Sequence, residues 1–236
     1  MLSFVIIASN AQETIQKCLD SIKDFNEVIL YLNNSTDNTK KIAQKYSNVK
    51  IIEGEFLGFG KTKNRAISYA TNNWIFVLDS DEVITKELKT ELLEVLKNPK
   101  YNAYYIARLN RFFGKWIKHS GLFPDYTIRL FNKNFAKFNE NMVHESVVYG
   151  GKKGYLKNYF LHFAYESIDE FIAKQNRYSY INAKHNRLKA IFSPYWTFIK
   201  IYFLKLGFLD GWHGFIIAKL YAQYTFWKYT KDKNES

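Results

Sequence analysis

The sequence holds a single cysteine, Cys18, in 236 residues. No disulfide can form within the chain, and a reducing compartment fits. Long apolar runs are also missing. No uncharged apolar stretch reaches 18 residues, which argues against a membrane-spanning helix. The opening MLSFVIIASN has no basic segment, and its apolar run is too short for a secretory signal. It reads as a strand, and a cytoplasmic protein is expected. Acids are scarce, 22 Asp and Glu against 34 Lys and Arg, giving a net charge of +12. The deficit deepens over residues 151–236, with 14 Lys and Arg against 6 Asp and Glu. Such an excess favours an anionic partner: nucleic acid, an anionic membrane face or a phosphorylated ligand. There is no internal repeat and no low-complexity linker.

What is abundant is apolar and aromatic. Hydrophobic residues make up 47% of the chain and aromatics 18%, with 20 Phe and 18 Tyr. A disordered chain would not carry them, and the length suffices for a real core in one or two domains. The first 97 residues alternate strand and helix signals. SFVII (3–7), EVILYL (27–32), VKII (49–52) and WIFVLD (74–79) read as strands. Asn10 and Glu13 have the spacing of a capping box before a helix whose inner face is Ile15, Cys18, Leu19 and Ile22. Further helices are predicted from NNSTDNT to about Tyr46, over about 61–71, and over 85–98, the last capped by Thr85. This order implies right-handed crossovers and a mainly parallel sheet, with ligands beyond the carboxyl ends of the strands. From 101 to 163, YNAYYIARL, YTIRLF and KNYFLHF read as strands of a mixed extension. After Ser167 the pattern is helical, with Pro194 marking a break.

One strand end, VLDSDE (77–82), places acids where a ligand would bind. Asp79 and Asp81, two apart in extended chain, would point the same way and repel unless a cation lay between them. Hard divalent ions bind through one or two carboxylates plus substrate phosphates. The plainer alternative is that these acids cap the following helix. GFGKT (58–62) falls short of a P-loop, because the template's first glycine position is Glu55. Lys61, Lys63 and Arg65 at that helix start suit either phosphate or solvent. His144 and His162 lack a zinc spacing.

With these elements in place, the sequence resembles glycosyltransferase family 2, of GT-A fold. Within it, the chain is similar to the short bacterial lipopolysaccharide-core β-glucosyltransferases that extend inner-core heptose. The likeness spans about residues 2–230. It rests on SFVIIASNAQETIQKCLDSI, NNSTDNTKKIAQKY, GFGKTKNRAISYATNNWIFVLDSDE, FPDYTIRLF, VHES and LGFLDGWHGFIIA, in that order. The resemblance implies an α/β, GT-A type fold: a Rossmann-like, mainly parallel sheet flanked by helices, with a C-terminal aromatic and basic helical extension. It also implies a catalytic domain over 1–190, with a nucleotide-sugar half (1–98) and an acceptor half (99–190), followed by a helical tail (191–236). Asp79 and Asp81 match the DxD motif, which holds Mn²⁺ or Mg²⁺ on the donor diphosphate. The donor implied is a UDP-hexose, foremost UDP-glucose, and the acceptor a lipid-linked inner-core saccharide of lipopolysaccharide or lipooligosaccharide. Glu145, in VHES, sits where the family places its catalytic acid, with Asp125 as runner-up general base. Asn10, Asn33, Asp37, Lys61, Arg65, Ser80, Arg129 and His144 are expected around the substrates. For Arg129, pairing with an acid stands as an equal alternative, and for His144 a structural role.

Five positions depart from the family. Ile7, Ala8 and Ser9 replace its Pro-Thr-Tyr, Ala11 replaces an acid, and Leu32 replaces the acid that contacts the nucleotide. These leave open another nucleotide sugar, another surface-glycan acceptor, or a non-catalytic binding relative. The tail, with 14 aromatics over 192–229 interrupted by Lys200, Lys205, Lys219 and Lys228, suits an anionic membrane interface. The alternative is packing on the core or on a second subunit. No nucleic-acid motif accompanies it, so nucleic acid is not expected as a partner. The localisation implied is cytoplasmic, peripheral on the inner membrane.

Overall fold

The structure, a computed structural model, describes residues 1–139 and 146–232. Two compact units emerge, Met1–Arg108 with Tyr126–His162, and Leu109–Asp125 with Phe163–Ser236.

The first unit opens with β1 (Leu2–Ala8), α1 (Ile15–Ile22), β2 (Glu27–Asn33), α2 (Thr39–Ala43), β3 (Val49–Gly54), α3 (Phe59–Ser68) and β4 (Trp74–Val77). These four strands are parallel, in the order β3-β2-β1-β4. Their apolar runs are continuous because both faces of the sheet are covered. Phe4, Ile6, Val28, Leu30 and Phe76 face Ile15, Cys18, Leu19 and Ile22 of α1. Val5, Ile29, Tyr31, Ile75 and Val77 face Ala66 and Ile67 of α3. The two sets alternate residue by residue, as strand geometry requires.

The chain continues through β5 (Glu82–Ile84), α4 (Lys86–Val95), β6 (Ala103–Phe112), β7 (Lys115–Trp116), β8 (Asp125–Asn132), β9 (Ala136–Phe138), β10 (Val147–Tyr149) and β11 (Lys153–Tyr165). The sheet extends from β4 as β8-β6-β11-β5. β8 runs antiparallel to β4, and β5 antiparallel to β11. β9 and β10 form a separate antiparallel pair. The parallel sheet with a mixed extension is therefore as the sequence implies, with helices on its faces.

In the second unit, β7 pairs with Arg111 and Phe112 at the end of β6. α5 (Ile168–Ile181), α6 (Arg187–Ile199) and α7 (Trp212–Thr230) follow, with a π-helical turn at Lys200–Leu204 and a 3₁₀ turn at Gly207–Asp210 between the last two. Phe112, Ile117, Phe171 and Ile217 make its core. The Asp210 carboxylate, 3% exposed, accepts from the amides of Lys118 and His119 and from the Ser120 hydroxyl, and pairs with His119 Nδ1. That role explains why an acid stands in LGFLDGWHGFIIA.

Two local expectations need correction. The Asn10–Glu13 capping box does not form: α1 starts at Ile15 after Thr14, and the Asn10 side chain accepts from Thr36 instead. Pro194 does not break the chain's path but lies inside α6. One missing N–H is tolerated there, because α6 packs along α7.

Candidate active site

The site develops at the carboxyl ends of β1, β2 and β4. Beyond β1 and β2 two loops lock together. Asn10 adopts a left-handed φ of 49°, and its Oδ1 accepts from the Thr36 amide at 2.9 Å. Asp37 Oδ2 accepts from the Gln12 amide at 2.9 Å, and Oδ1 from the amide and hydroxyl of Thr39. Burial alone would raise the Asp37 pKa. The bonds from Thr39 and Gln12 overcome this and lower it. Asn33 is half-buried at the end of β2. Leu32 is 3% exposed, inside the core.

Beyond β4 the chain does not stay extended. The Glu82 amide donates to Asp79 O at 3.0 Å, closing a turn around half-buried Ser80. The i, i+2 alignment of Asp79 and Asp81 inferred from strand geometry is thus replaced by a turn, and the two carboxylates have different partners. Asp79 Oδ1 lies 3.3 Å from Lys63 Nζ, and Oδ2 accepts from Arg129 at 2.8 Å. Asp81 Oδ2 lies 3.4 Å from His162 Nε2. The acids do not cap α4, whose cap is Thr85, accepting from the Leu88 amide.

Behind the turn sits Glu82, fully buried. It accepts from Arg129 and, at 3.0 Å, from the Asp79 amide. Arg108 lies 4.0 Å from it. Arg129 is itself 5% exposed and pairs with both acids, Asp79 and Glu82, while still lining the cavity in front of them. Burial pushes the Asp79 carboxyl up, but Arg129 and Lys63 overcome this and hold it well below the usual carboxylate range. Glu82 is pushed up by burial, which the attraction of Arg129 does not fully offset. Cys18, whose thiol points to Asp79 O, is raised by burial and then by Glu82, Asp81 and Asp79. Such a thiol stays protonated and inert.

These groups open into a cavity of about 300 Å³, whose walls include Lys63, Asp79, Arg108 and Arg129. Three cations against one partly exposed acid suit an anionic ligand. Ser146 and Val147 complete one wall. His144 and Glu145 precede them directly and lie outside the described residues. Asp125, the other candidate base, is half-buried at the start of β8 and belongs to the second unit. Lys61 and Arg65 lie exposed on α3.

Sequence reasoning gave Lys63 only as one of three basic residues suited to phosphate or solvent and Glu82 only as a possible helix cap, and it did not single out Arg108 or His162 as site residues. The available signals were a lysine two residues from Lys61 in a helix with an apolar face, and a third acid in VLDSDE. Among the described residues, no three His, Cys, Asp or Glu side chains cluster closely enough to hold a metal by themselves.

The comparisons agree with this architecture. Residues 3–163 match the family described as glycosyl transferase family 2. An uncharacterized glycosyltransferase of Rickettsia typhi is 30% identical over 94% of this chain and 82% of its own length. A lipopolysaccharide core biosynthesis glycosyltransferase, LpsC of Rhizobium meliloti, is 28% identical over 95% of this chain and 89% of its own. Residues 1–349 of S. aureus TarS superpose with a TM-score of 0.52 at 18% identity, covering 96% of this chain and 88% of that one. That likeness is one of fold. A sequence match across both the parallel strands and the acidic turn goes further, and the chain belongs to glycosyl transferase family 2, as a glycosyltransferase.

Proposed function

We propose that the protein is an inverting, metal-dependent hexosyltransferase, moving glucose from UDP-glucose onto an inner-core saccharide, foremost a heptose, of lipopolysaccharide or lipooligosaccharide. The observation that carries the reading is the cationic pocket in which Lys63 and Arg129 hold Asp79 ionised beside the Asp81 turn. The acceptor class is supported by LpsC, named for lipopolysaccharide core biosynthesis. The donor class is supported by TarS, a protein of similar fold whose structures include complexes with UDP and UDP-GlcNAc.

In this reading the donor diphosphate lies against Lys63, Arg108 and Arg129. The residues present fit a divalent ion in one particular way. Both oxygens of Asp79 are engaged by cations, whereas Asp81 is more exposed and faces His162. Asp81, with His162 beside it, would hold Mn²⁺ or Mg²⁺ together with donor phosphates, which matches how such ions bind with few protein ligands. When bound, the ion supplies charge stabilisation to the departing diphosphate. Asp79 then positions Arg129 and Lys63. Asn10, Asn33, Asp37 and Ser80 shape the nucleotide end, while Lys61 and Arg65 supply peripheral positive charge.

Glu145 takes the acceptor proton, with Asp125 as the alternative base. Ser146, its neighbour in sequence, lines the pocket. Residues 1–98 serve the donor, 99–190 the acceptor and 191–236 the membrane. Among the described residues no helix is long and apolar enough to cross a membrane. The tail instead exposes Tyr195, Trp196 and Trp212, as a peripheral protein on an anionic inner-membrane surface would.

Glu145→Gln keeps size and removes basicity. Turnover should fall about 10²-fold or more with UDP binding little changed, and Asp125→Asn should do less. Near-normal turnover of Glu145→Gln at saturating acceptor excludes Glu145 as the base.

A further inference from the structure

Four tyrosines from four strands converge beside the cationic pocket: Tyr105 on β6, Tyr126 on β8, Tyr149 on β10 and Tyr155 on β11. Tyr105 and Tyr155 stack with ring centres 5.1 Å apart and planes 17° from parallel. Tyr126 meets Tyr155 at 5.2 Å and 90°. Tyr149 hydrogen-bonds Tyr105. Lys153 Nζ lies 4.7 Å from the Tyr105 ring centre and 5.9 Å from that of Tyr155. The cluster is not core, because Tyr126 is 46% and Tyr155 54% exposed. Nor is it separate from the site. Tyr105 and Tyr126 line the same cavity as Asp79, Lys63 and Arg108.

The geometry points to this platform as the acceptor subsite, taking a saccharide that carries an anionic substituent, phosphate or carboxylate. The inference rests on the glycosyl-transfer reading above and names the second substrate's chemistry. A pyranose presents a face of C–H bonds and a rim of hydroxyls. Tyrosine rings offer the face, and their phenols bond the rim. Each ring is held by its neighbours, so little side-chain freedom is lost on binding. Lys153, beside both the Tyr105 and Tyr155 rings, supplies a charge-assisted hydrogen bond to the substituent. The donor's diphosphate is matched by Lys63, Arg129 and the Asp81 turn, which leaves the tyrosine end for the other substrate.

The test is calorimetry on the full chain with Mn²⁺ and saturating UDP, using two probes: a methyl heptoside and its monophosphate. The monophosphate should bind the intact protein about tenfold more tightly than the neutral glycoside. Tyr155→Ala should weaken both about tenfold, and Tyr155→Phe should restore most of the loss. Lys153→Gln should remove the preference for the monophosphate, and UDP affinity should stay within about twofold in all three variants. Recovery in Tyr155→Phe and an unchanged melting temperature separate the subsite from a folding defect. The inference is overturned if Tyr155→Ala binds both probes as the intact protein does. It is also overturned if that variant loses UDP affinity, or if the intact protein takes UDP and neither glycoside. If the intact protein takes the monophosphate but no UDP, the donor reading fails and the subsite stands.

Discussion

Arg129 is the residue on which the acidic turn depends. It lies 50 positions from Asp79 in sequence and 47 from Glu82, yet bonds both. Breaking a buried ion pair on one side leaves a buried charge uncompensated, at about 3–5 kcal/mol. Arg129→Met should therefore lower the melting temperature by about 10 °C. Adding Glu82→Gln should recover part of that loss, read as a coupling energy in a double-mutant cycle. Acid titration checks the same pairing. The Asp79 pKa is lowered by folding, so its contribution is present above the unfolded value, near 3.9, and is lost as pH falls through the lower folded value. Urea melts below about pH 4 should thus show a shallower loss of stability in Asp79→Asn than in the intact protein. Asp79 and Asp81 were legible in the sequence because acids ending an apolar run are conspicuous. The burial of Lys63 and Glu82 against that turn was not, because only the assembled sheet determines which charges it buries.

Among the elements, the 3₁₀ turn and α7 approach each other closely at two glycines. A Cβ on Gly214 would come within 1.8 Å of Gly207 O, a backbone atom. The chain cannot yield there as a flexible side chain would. Gly214→Ala should destabilise by about 2 kcal/mol or more, seen as a lower denaturation midpoint, whereas an exposed Ser→Ala exchange on a surface helix would be nearly silent. Thr85→Ala, which removes the cap of α4, should cost about 1 kcal/mol. Strands β1 to β4 and the inner face of α1 were readable because burial on both sheet faces imposes long apolar runs and a strict helical repeat. The Asn10 cap was misread for a physical reason: an asparagine side chain bonds whichever amide the fold brings near, here that of Thr36 on another loop. The short strands β5, β7, β9 and β10 carry too few residues to show a period.

For the whole molecule, the proposed membrane face and the donor site make separate claims. Between residues 171 and 231 the only acid is Asp210, which is buried, while ten lysines and arginines share that stretch. Tyr195, Trp196 and Trp212 are 71%, 58% and 69% exposed. Replacing these three with serine should abolish binding to anionic liposomes with little change in melting temperature. Rising salt should weaken the binding of the intact protein. Point substitutions are preferable to removing residues 192–236, because Ile217 belongs to the core of the second unit.

The proposed donor site depends on Asp81 and a divalent ion holding the donor diphosphate in the cationic pocket. Titration of the purified chain with UDP, with and without Mn²⁺, in the intact protein and in Asp81→Asn, tests it most directly. The expected result is Mn²⁺-dependent UDP binding that Asp81→Asn abolishes while its melting temperature is retained. UDP affinity that is indifferent to Mn²⁺, or unchanged in Asp81→Asn, would contradict it.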